Sequence, residues 1–158
     1  MQLDVPADLA YGDAPPDTAE DAVIKAGDAL TFVIDVLDVV PAPDATNQPT
    51  AADLPASSGA VPETIATDVS VGTGDTLDAG EHGVFLFVYF DAAERTVAQT
   101  TWPDGAEVIT AAAGDVSTNP SAGLAGMKVG GRRALTIPAA MAGTPSDLII
   151  VADLLSVV

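Results

Sequence analysis

The chain has 158 residues, of which 48% are hydrophobic, and its 23 acidic and 5 basic side chains give a formal net charge of −18. This charge excludes nucleic acids and anionic membrane surfaces as partners, because both are bound through an excess of Lys and Arg. The absence of cysteine excludes disulfides, thiolate catalysis and Cys-ligated zinc. The sequence contains no run of about 18 consecutive apolar residues, the length that would predict a membrane helix.

The predicted elements are mostly strands. β-Branched and aliphatic runs with stretches of alternation predict strands at 29–40, 83–90, 107–110, 133–137 and 148–157. One short helix is predicted at 120–127, with Pro120 in its first turn and Gly130 and Gly131 after its end. The fold class is therefore α+β, an antiparallel sheet with one short helix against it.

Two segments of the chain repeat. Residues 3–7 are similar to 135–139, and residues 30–37 are similar to 148–155, with a longer intervening loop in the first copy. The first copy has no counterpart of the stretch that precedes the second, so we expect Met1 to be an internal methionine of a longer parent. The predicted domains are a fragment at 1–42, a Pro/Ala/Ser/Thr linker at 43–60 that is extended and flexible, and a second domain at 61–158.

Three motifs carry a resemblance to a known family. They are the opening turn Val71-Gly72-Thr73-Gly74-Asp75, the run Gly126-Met127-Lys128-Val129-Gly130-Gly131-Arg132, and, in the first copy, Leu9-Ala10-Tyr11-Gly12. Together they resemble motifs of the FKBP-type peptidyl-prolyl isomerases, in a bacterial, tandem-domain form whose first copy is truncated. The resemblance implies an antiparallel sheet wrapped around one short helix, preceded by a partial copy of the same module.

The resemblance also implies a prolyl pocket between helix and sheet. Matching positions in the second copy are Tyr89, Gln99, Val116, Ser117, Pro120 and Ile150. Only Tyr89 and Val116 keep the family's residue type. The family's Phe is Ala98, its Asp is Gln99, its Ile is Ser117, its floor Trp is Pro120, and its closing Tyr falls near Ala142. Trp102 is predicted to pack in its own loop, with the vacated pocket as the alternative. The first copy retains Tyr11 and Phe32.

The function implied by the resemblance is rotation about X-Pro bonds in protein folding, which requires no cofactor and no metal. The loss of large pocket side chains predicts weak or absent activity in this chain. The alternative is a non-catalytic FKBP-like module, or chaperone, that binds polypeptides. Proline-containing polypeptides are the expected partners. The compartment is left open, and an exported or lipid-anchored parent is a hypothesis.

Overall fold

The computed structural model describes residues 1–16, 19, 22–36, 38–56 and 59–158. The chain divides into two compact units, Met1–Val39 and Val40–Val158. Parts of the long loop between the two repeated segments of the first copy, of the first predicted strand and of the predicted linker lie outside the described residues.

The first unit contains one antiparallel strand pair. Strands β1 (Gln2–Val5) and β2 (Leu30–Val33) pair in a register that joins Leu3 to Phe32. Strand β2 is shorter than the predicted 29–40, because its partner strand supplies only four residues for pairing. A 3-10 helix, Ala7–Leu9, follows β1.

The second unit is built on one six-stranded antiparallel sheet. Its strands are β3 (Ile65–Ser70), β4 (His82–Asp91), β5 (Val97–Thr100), β6 (Glu107–Thr110), β7 (Arg132–Ile137) and β8 (Leu148–Val157). The order is β3-β7-β8-β4-β5. Strand β6 also pairs with β4, along its first half, whereas β5 pairs with its second half. All pairings are antiparallel, which confirms the predicted sheet, and the predicted bounds of β6 and β8 agree with the structure.

One face of this sheet, the inner face, carries the larger core. Because side chains alternate across a strand, β4 directs Phe85, Phe87 and Tyr89 to this face, where Phe85 and Phe87 are buried. Leu135 and Leu154 of the neighbouring strands join them. The inner face is where the predicted pocket has to lie.

The predicted short helix packs against the inner face, but as a 3-10 helix over Pro120–Leu124. Asn119 caps it by accepting a hydrogen bond from the Ser121 backbone N–H. It ends earlier than the predicted 120–127 because Ala125 is extended and Gly126 has φ 78°, and glycine is a weak helix former. A four-residue α-helix, α1 (Ala139–Ala142), follows β7 and was not predicted.

The opposite face of the sheet, the outer face, is covered by residues 44–56, which we call the strap. Leu54 is buried there against Val88, Phe90 and Val151. The strap contains two 3-10 helices, Ala45–Asn47 and Ala51–Asp53. Composition predicts an extended linker here. The structure instead places this segment on the sheet, because Leu54 and Pro49 supply apolar anchors and because side chains of β7 and of the loops before and after β5 bind its backbone.

Two arginines and a tryptophan hold the strap. Arg132 pairs with Asp153 at 2.6 Å, contacts Asp53 at 3.3 Å and donates to the Asn47 carbonyl. Arg95 donates to the carbonyl oxygens of Ala51, Leu54 and Pro55. Trp102 is buried in the outer cluster, and its Nε1–H donates to the Asp44 carbonyl at 3.1 Å.

Candidate functional site

A row of side chains crosses the inner face over four neighbouring strands. Tyr89 lies directly opposite Gln99 on β5 and Ile150 on β8, and Ile150 lies opposite Leu135 on β7. Directly opposite residues share a face of the sheet, so the structure brings together three of the predicted site residues, Tyr89, Gln99 and Ile150. Tyr89 and Ile150 are half-buried at the margin of the inner core, whereas Gln99 is exposed.

Tyr89 is the last ring in a ladder of aromatic side chains along β4. Its ring centroid lies 6.1 Å from that of Phe87, which stacks in turn on Phe85 at 5.4 Å. Burial raises the pKa of the Tyr89 hydroxyl, and the nearby carboxylate of Glu107 raises it further. The phenol therefore stays protonated through the neutral range and can donate a hydrogen bond to a carbonyl.

Val116 lies next to Gly123 of the 3-10 helix, which packs on Leu135 at the end of this row. A Cβ added at Gly123 would lie 2.8 Å from Val116 Cγ2 and 2.7 Å from Leu135 Cδ2. Such separations are shorter than van der Waals contact, so only glycine lets the helix pack this closely on β7. Val116, Gly123 and Leu135 thus close one side of an apolar patch that also includes Tyr89 and Ile150, which we call the inner-face patch.

Ser117 and Pro120 lie in the turn and helix that follow Val116. The Ser117 backbone N–H donates to Asp115 Oδ1 at 2.9 Å, and this hydrogen bond holds the pKa of Asp115 below its usual range. Pro120 occupies the first turn of the 3-10 helix and is half-buried. Within the described residues, neither position is joined to the Tyr89 row by a hydrogen bond.

The resemblance implies a pocket with large aromatic walls, but small side chains stand at several of these positions. Ala98 is exposed on β5, and Ala142 at the end of α1 contributes only a methyl group to the margin of the inner core. Trp102 lies in the cluster on the outer face, so it does not refill this space. Tyr89 is therefore the aromatic side chain available at the exposed margin of the patch.

The first-copy positions belong to the first unit. Tyr11 and Phe32 are each 46% exposed. Phe32 lies opposite Leu3 in the two-stranded sheet, and Tyr11 lies in the turn after the 3-10 helix.

Asp115 is a residue of this site that the sequence analysis did not select. Its carboxylate accepts a hydrogen bond from the Ser117 backbone N–H. The sequence signal for this contact is the Asp-x-Ser order, because an Asp side chain often accepts from the backbone N–H two residues further on. Leu135 was likewise assigned only to a strand, and its place in the row follows from the register between β7 and β8.

The described part of the chain contains neither a metal cluster nor a membrane-spanning helix. No cluster of three or more His, Asp or Glu side chains there could hold a metal ion. None of the helices described is long and apolar enough to cross a membrane.

Comparisons with known proteins give structural neighbours. No family pattern matches the chain, and neither does any curated protein sequence. It is similar to the solved structure of a peptidyl-prolyl cis-trans isomerase, FKBP12, from Mycobacterium tuberculosis, with 29% identity over 60% of this chain and 84% of that one and a TM-score of 0.48.

Two other bacterial proteins give similar values. The likeness to FkpA from Escherichia coli has 19% identity over 60% of this chain and a TM-score of 0.47, and the chain spans only 47% of the length of FkpA. The isomerase of Pseudomonas syringae pv. tomato matches with 18% identity over 68% of this chain and 86% of that one, with a TM-score of 0.45. The neighbours are thus FKBP-type isomerases, the family that the sequence motifs resemble. Each of these TM-scores is below 0.5.

Proposed function

We propose that residues 61–158 form an FKBP-type peptidyl-prolyl isomerase domain whose activity in this chain is weak or absent. The observation that carries this proposal is the row Gln99–Tyr89–Ile150–Leu135 on the inner face, beside a short helix that begins at Pro120. A prolyl ring of a polypeptide would lie on this apolar patch, with Tyr89 beside it.

The chemistry proposed for this patch needs no nucleophile or metal. Rotation about an X-Pro bond crosses a barrier of about 18–20 kcal/mol, because the planar amide loses its resonance when it twists. An apolar surface that excludes water favours the twisted, less polar amide, and a hydrogen-bond donor can steady a carbonyl. Tyr89 is the side chain of the patch that can supply both an apolar face and a donor.

Weak activity follows from what the patch lacks. Ala98, Pro120 and Ala142 offer little apolar surface where the family resemblance implies Phe, Trp and Tyr. Most of the binding free energy in such a pocket comes from buried apolar contact. A prolyl ring therefore gains little binding free energy here. The family resemblance also implies that the backbone N–H at the Ser117 position receives a carbonyl of the substrate. In this chain that N–H is already bonded to Asp115.

We also propose a role for residues 1–42 and a class of partner. Residues 1–42 are a fragment of a first FKBP-like domain, with Tyr11 and Phe32 as its pocket remnants. The natural partners are proline-containing polypeptides.

The second candidate is a module that binds polypeptides without isomerising them. The specific observation in its favour is the Asp115–Ser117 hydrogen bond, which removes a carbonyl anchor and leaves the apolar row in place. Such a patch could hold an extended chain as a chaperone does, with no selective stabilisation of the twisted amide.

The experiment is a coupled prolyl-peptide isomerisation assay on the full chain. We expect less than about a tenfold acceleration over the uncatalysed rate, which corresponds to under about 1.4 kcal/mol of barrier lowering. Tyr89→Ala should remove whatever acceleration exists. Tyr11→Ala is the matched control and should leave the rate unchanged.

The two candidates separate when binding is measured beside the rate. Shifts of the Tyr89 and Ile150 amide resonances with a prolyl peptide, without acceleration, would identify the binding module. Acceleration that survives Tyr89→Ala and is lost with Tyr11→Ala would place the activity in the first unit and contradict the proposal. Strong acceleration that no Tyr89 substitution affects would contradict it as well.

A further inference from the structure

Strand β3 forms one edge of the sheet in the second unit. It pairs with β7 on one side, and within the described residues no strand pairs with its other side. All six residues of β3 are exposed. An edge strand of this kind presents a row of unpaired N–H and C=O groups that can accept another strand.

A cavity adjoins the first half of this edge, on the outer face. Its volume is about 590 Å³. Ile65 and Thr67 line it from β3, Thr136 and Ile149 from the neighbouring strands, and Pro55 from the end of the strap. Because alternate residues of a strand share a face, Ile65 and Thr67 both line the cavity, which adjoins the side of the β3 backbone that no described strand pairs with.

The charged groups at the cavity wall are already satisfied. Asp147 accepts from the backbone N–H groups of Val61 and Ala139, and Arg95 is bonded to carbonyl oxygens of the strap. Both groups keep their charge but are held in place by these hydrogen bonds, and Ile65, Ile149 and Pro55 of the lining offer apolar surface to a side chain.

The surroundings of the edge favour a basic partner. Glu63 precedes β3 and Asp68 lies within it, and both side chains are exposed. Two cations lie nearby: Arg95 is bonded to carbonyl oxygens of the strap, and Arg133 is paired with Asp68 at 2.6 Å. Because Asp68 is already paired, the attraction for a basic partner comes from Glu63 and from the overall negative charge of the chain. With 23 acidic against 5 basic side chains in the chain, an approaching cationic segment is attracted and an anionic one is repelled.

We propose that β3 and the adjoining cavity form a binding site for an extended, basic polypeptide segment, which adds to the sheet as a further strand and inserts an apolar side chain into the cavity. Backbone hydrogen bonds along β3 give the affinity, and the cavity selects for an apolar residue at every second position. The site is on the outer face and at the sheet edge, so it is separate from the Tyr89 row and does not rest on isomerase activity.

The test uses a proline-free probe peptide with alternating polar and apolar residues, Lys-Leu-Thr-Val-Lys-Leu-Thr-Val-Lys, capped at both ends, and the ¹⁵N-labelled full chain. We expect saturable shifts of the Ile65 to Asp68 amides, and exchange of the outward-facing amides with solvent that is slowed about tenfold. The same peptide methylated on alternate backbone nitrogens cannot donate along the edge and should not bind.

Two lysine substitutions provide a matched pair. Ile65 and Val97 are 43% and 49% exposed and lie on the two opposite edge strands. Ile65→Lys puts a charge at the cavity mouth and repels the basic probe, so we expect binding to weaken about tenfold or more. Val97→Lys makes the same change of net charge on β5 and should leave the affinity within about twofold.

Several outcomes would overturn the proposal. They are no binding up to about 1 mM peptide, equal weakening by Ile65→Lys and Val97→Lys, and shifts confined to the Tyr89 row. The last of these would leave the function proposed above standing. Concentration-dependent dimerisation of the chain with protected β3 amides and no peptide would make a second copy the occupant and would also overturn it.

Discussion

At the scale of single residues, Asp115 controls whether a backbone donor beside the inner-face patch is available. Its Oδ1 accepts the Ser117 N–H at 2.9 Å in an exposed turn. The hydrogen bond lowers the pKa of Asp115 in the folded chain. The interaction is therefore complete above the ordinary Asp pKa of about 3.9 and is lost as the pH falls through the lower folded value.

We predict that Asp115→Ala frees the Ser117 N–H. The exchange of this amide with solvent should become about tenfold faster, and a prolyl peptide should bind more tightly, because a carbonyl can now occupy the donor. Asp115→Asn keeps an acceptor oxygen and is the control that should behave like the unchanged chain. In the unchanged chain, the Ser117 amide resonance should move as the pH falls below about 3.9. An amide that exchanges equally in both variants would show that the carboxylate does not protect it.

At the scale of elements, the strap is part of the second unit's packing. Leu54 is 7% exposed in the outer cluster with Trp102, and the strap's backbone is bonded to Arg95, Arg132 and Trp102. A sheet that has apolar residues on both faces must cover both, and here the strap covers part of the second one.

We predict that Leu54→Ala lowers the free energy of unfolding by about 2–4 kcal/mol, through lost burial and the cavity that remains. Denaturant titration measures this change. Trp102 fluorescence should shift to longer wavelength before global unfolding, because water gains access to its ring. Ala52→Ser, at an exposed position of the same strap, should cost under about 0.5 kcal/mol. A Leu54→Ala chain as stable as the original would mean that the strap contributes no packing energy.

The elements also show how far the sequence predicts this fold. Apolar runs predicted β4, β7 and β8 to within a residue or two, because a strand buried in a sheet has to be apolar on one or both faces. The bounds of β6 were also predicted, although this strand is mostly exposed. Strand β3 was not predicted, since its side chains are exposed and carry no alternation. The strap was assigned to a linker because its two apolar anchors, Pro49 and Leu54, are too few to form a pattern.

The same limits apply to the candidate site. The motif resemblance selected Tyr89, Gln99 and Ile150, and the register brings these three together. The resemblance could not reveal that the Ser117 N–H is engaged, because that depends on the turn geometry at Asp115. It also gave no indication of the cavity beside β3, which is formed by five separate segments of the chain.

At the scale of the whole molecule, the net charge of −18 opposes compaction. Among the described residues, three ion pairs join side chains, those of Arg132 with Asp53 and Asp153 and that of Arg133 with Asp68. Partly exposed pairs contribute little each. The repulsion among the excess carboxylates is therefore the larger electrostatic effect on folding.

We predict that added NaCl stabilises the chain. Screening shortens the Debye length to about 3 Å at 1 M salt, so the repulsion should fall more than the attraction within the few pairs. The melting temperature should rise by about 2–4 °C for each kcal/mol gained. A neutral solute at equal osmolality is the control. A melting temperature that falls with salt would mean that the ion pairs outweigh the repulsion.

The hydrogen bonds that seat the strap have an evolutionary consequence. Five carbonyl oxygens, those of Asp44, Asn47, Ala51, Leu54 and Pro55, receive hydrogen bonds from Arg95, Trp102 and Arg132. A carbonyl is the same whatever side chain its residue carries, so this attachment is indifferent to most substitutions in the strap. Random mutagenesis should therefore find the strap tolerant at nearly every position except Pro49, Asp53 and Leu54, with the constraint falling on the three residues that hold it.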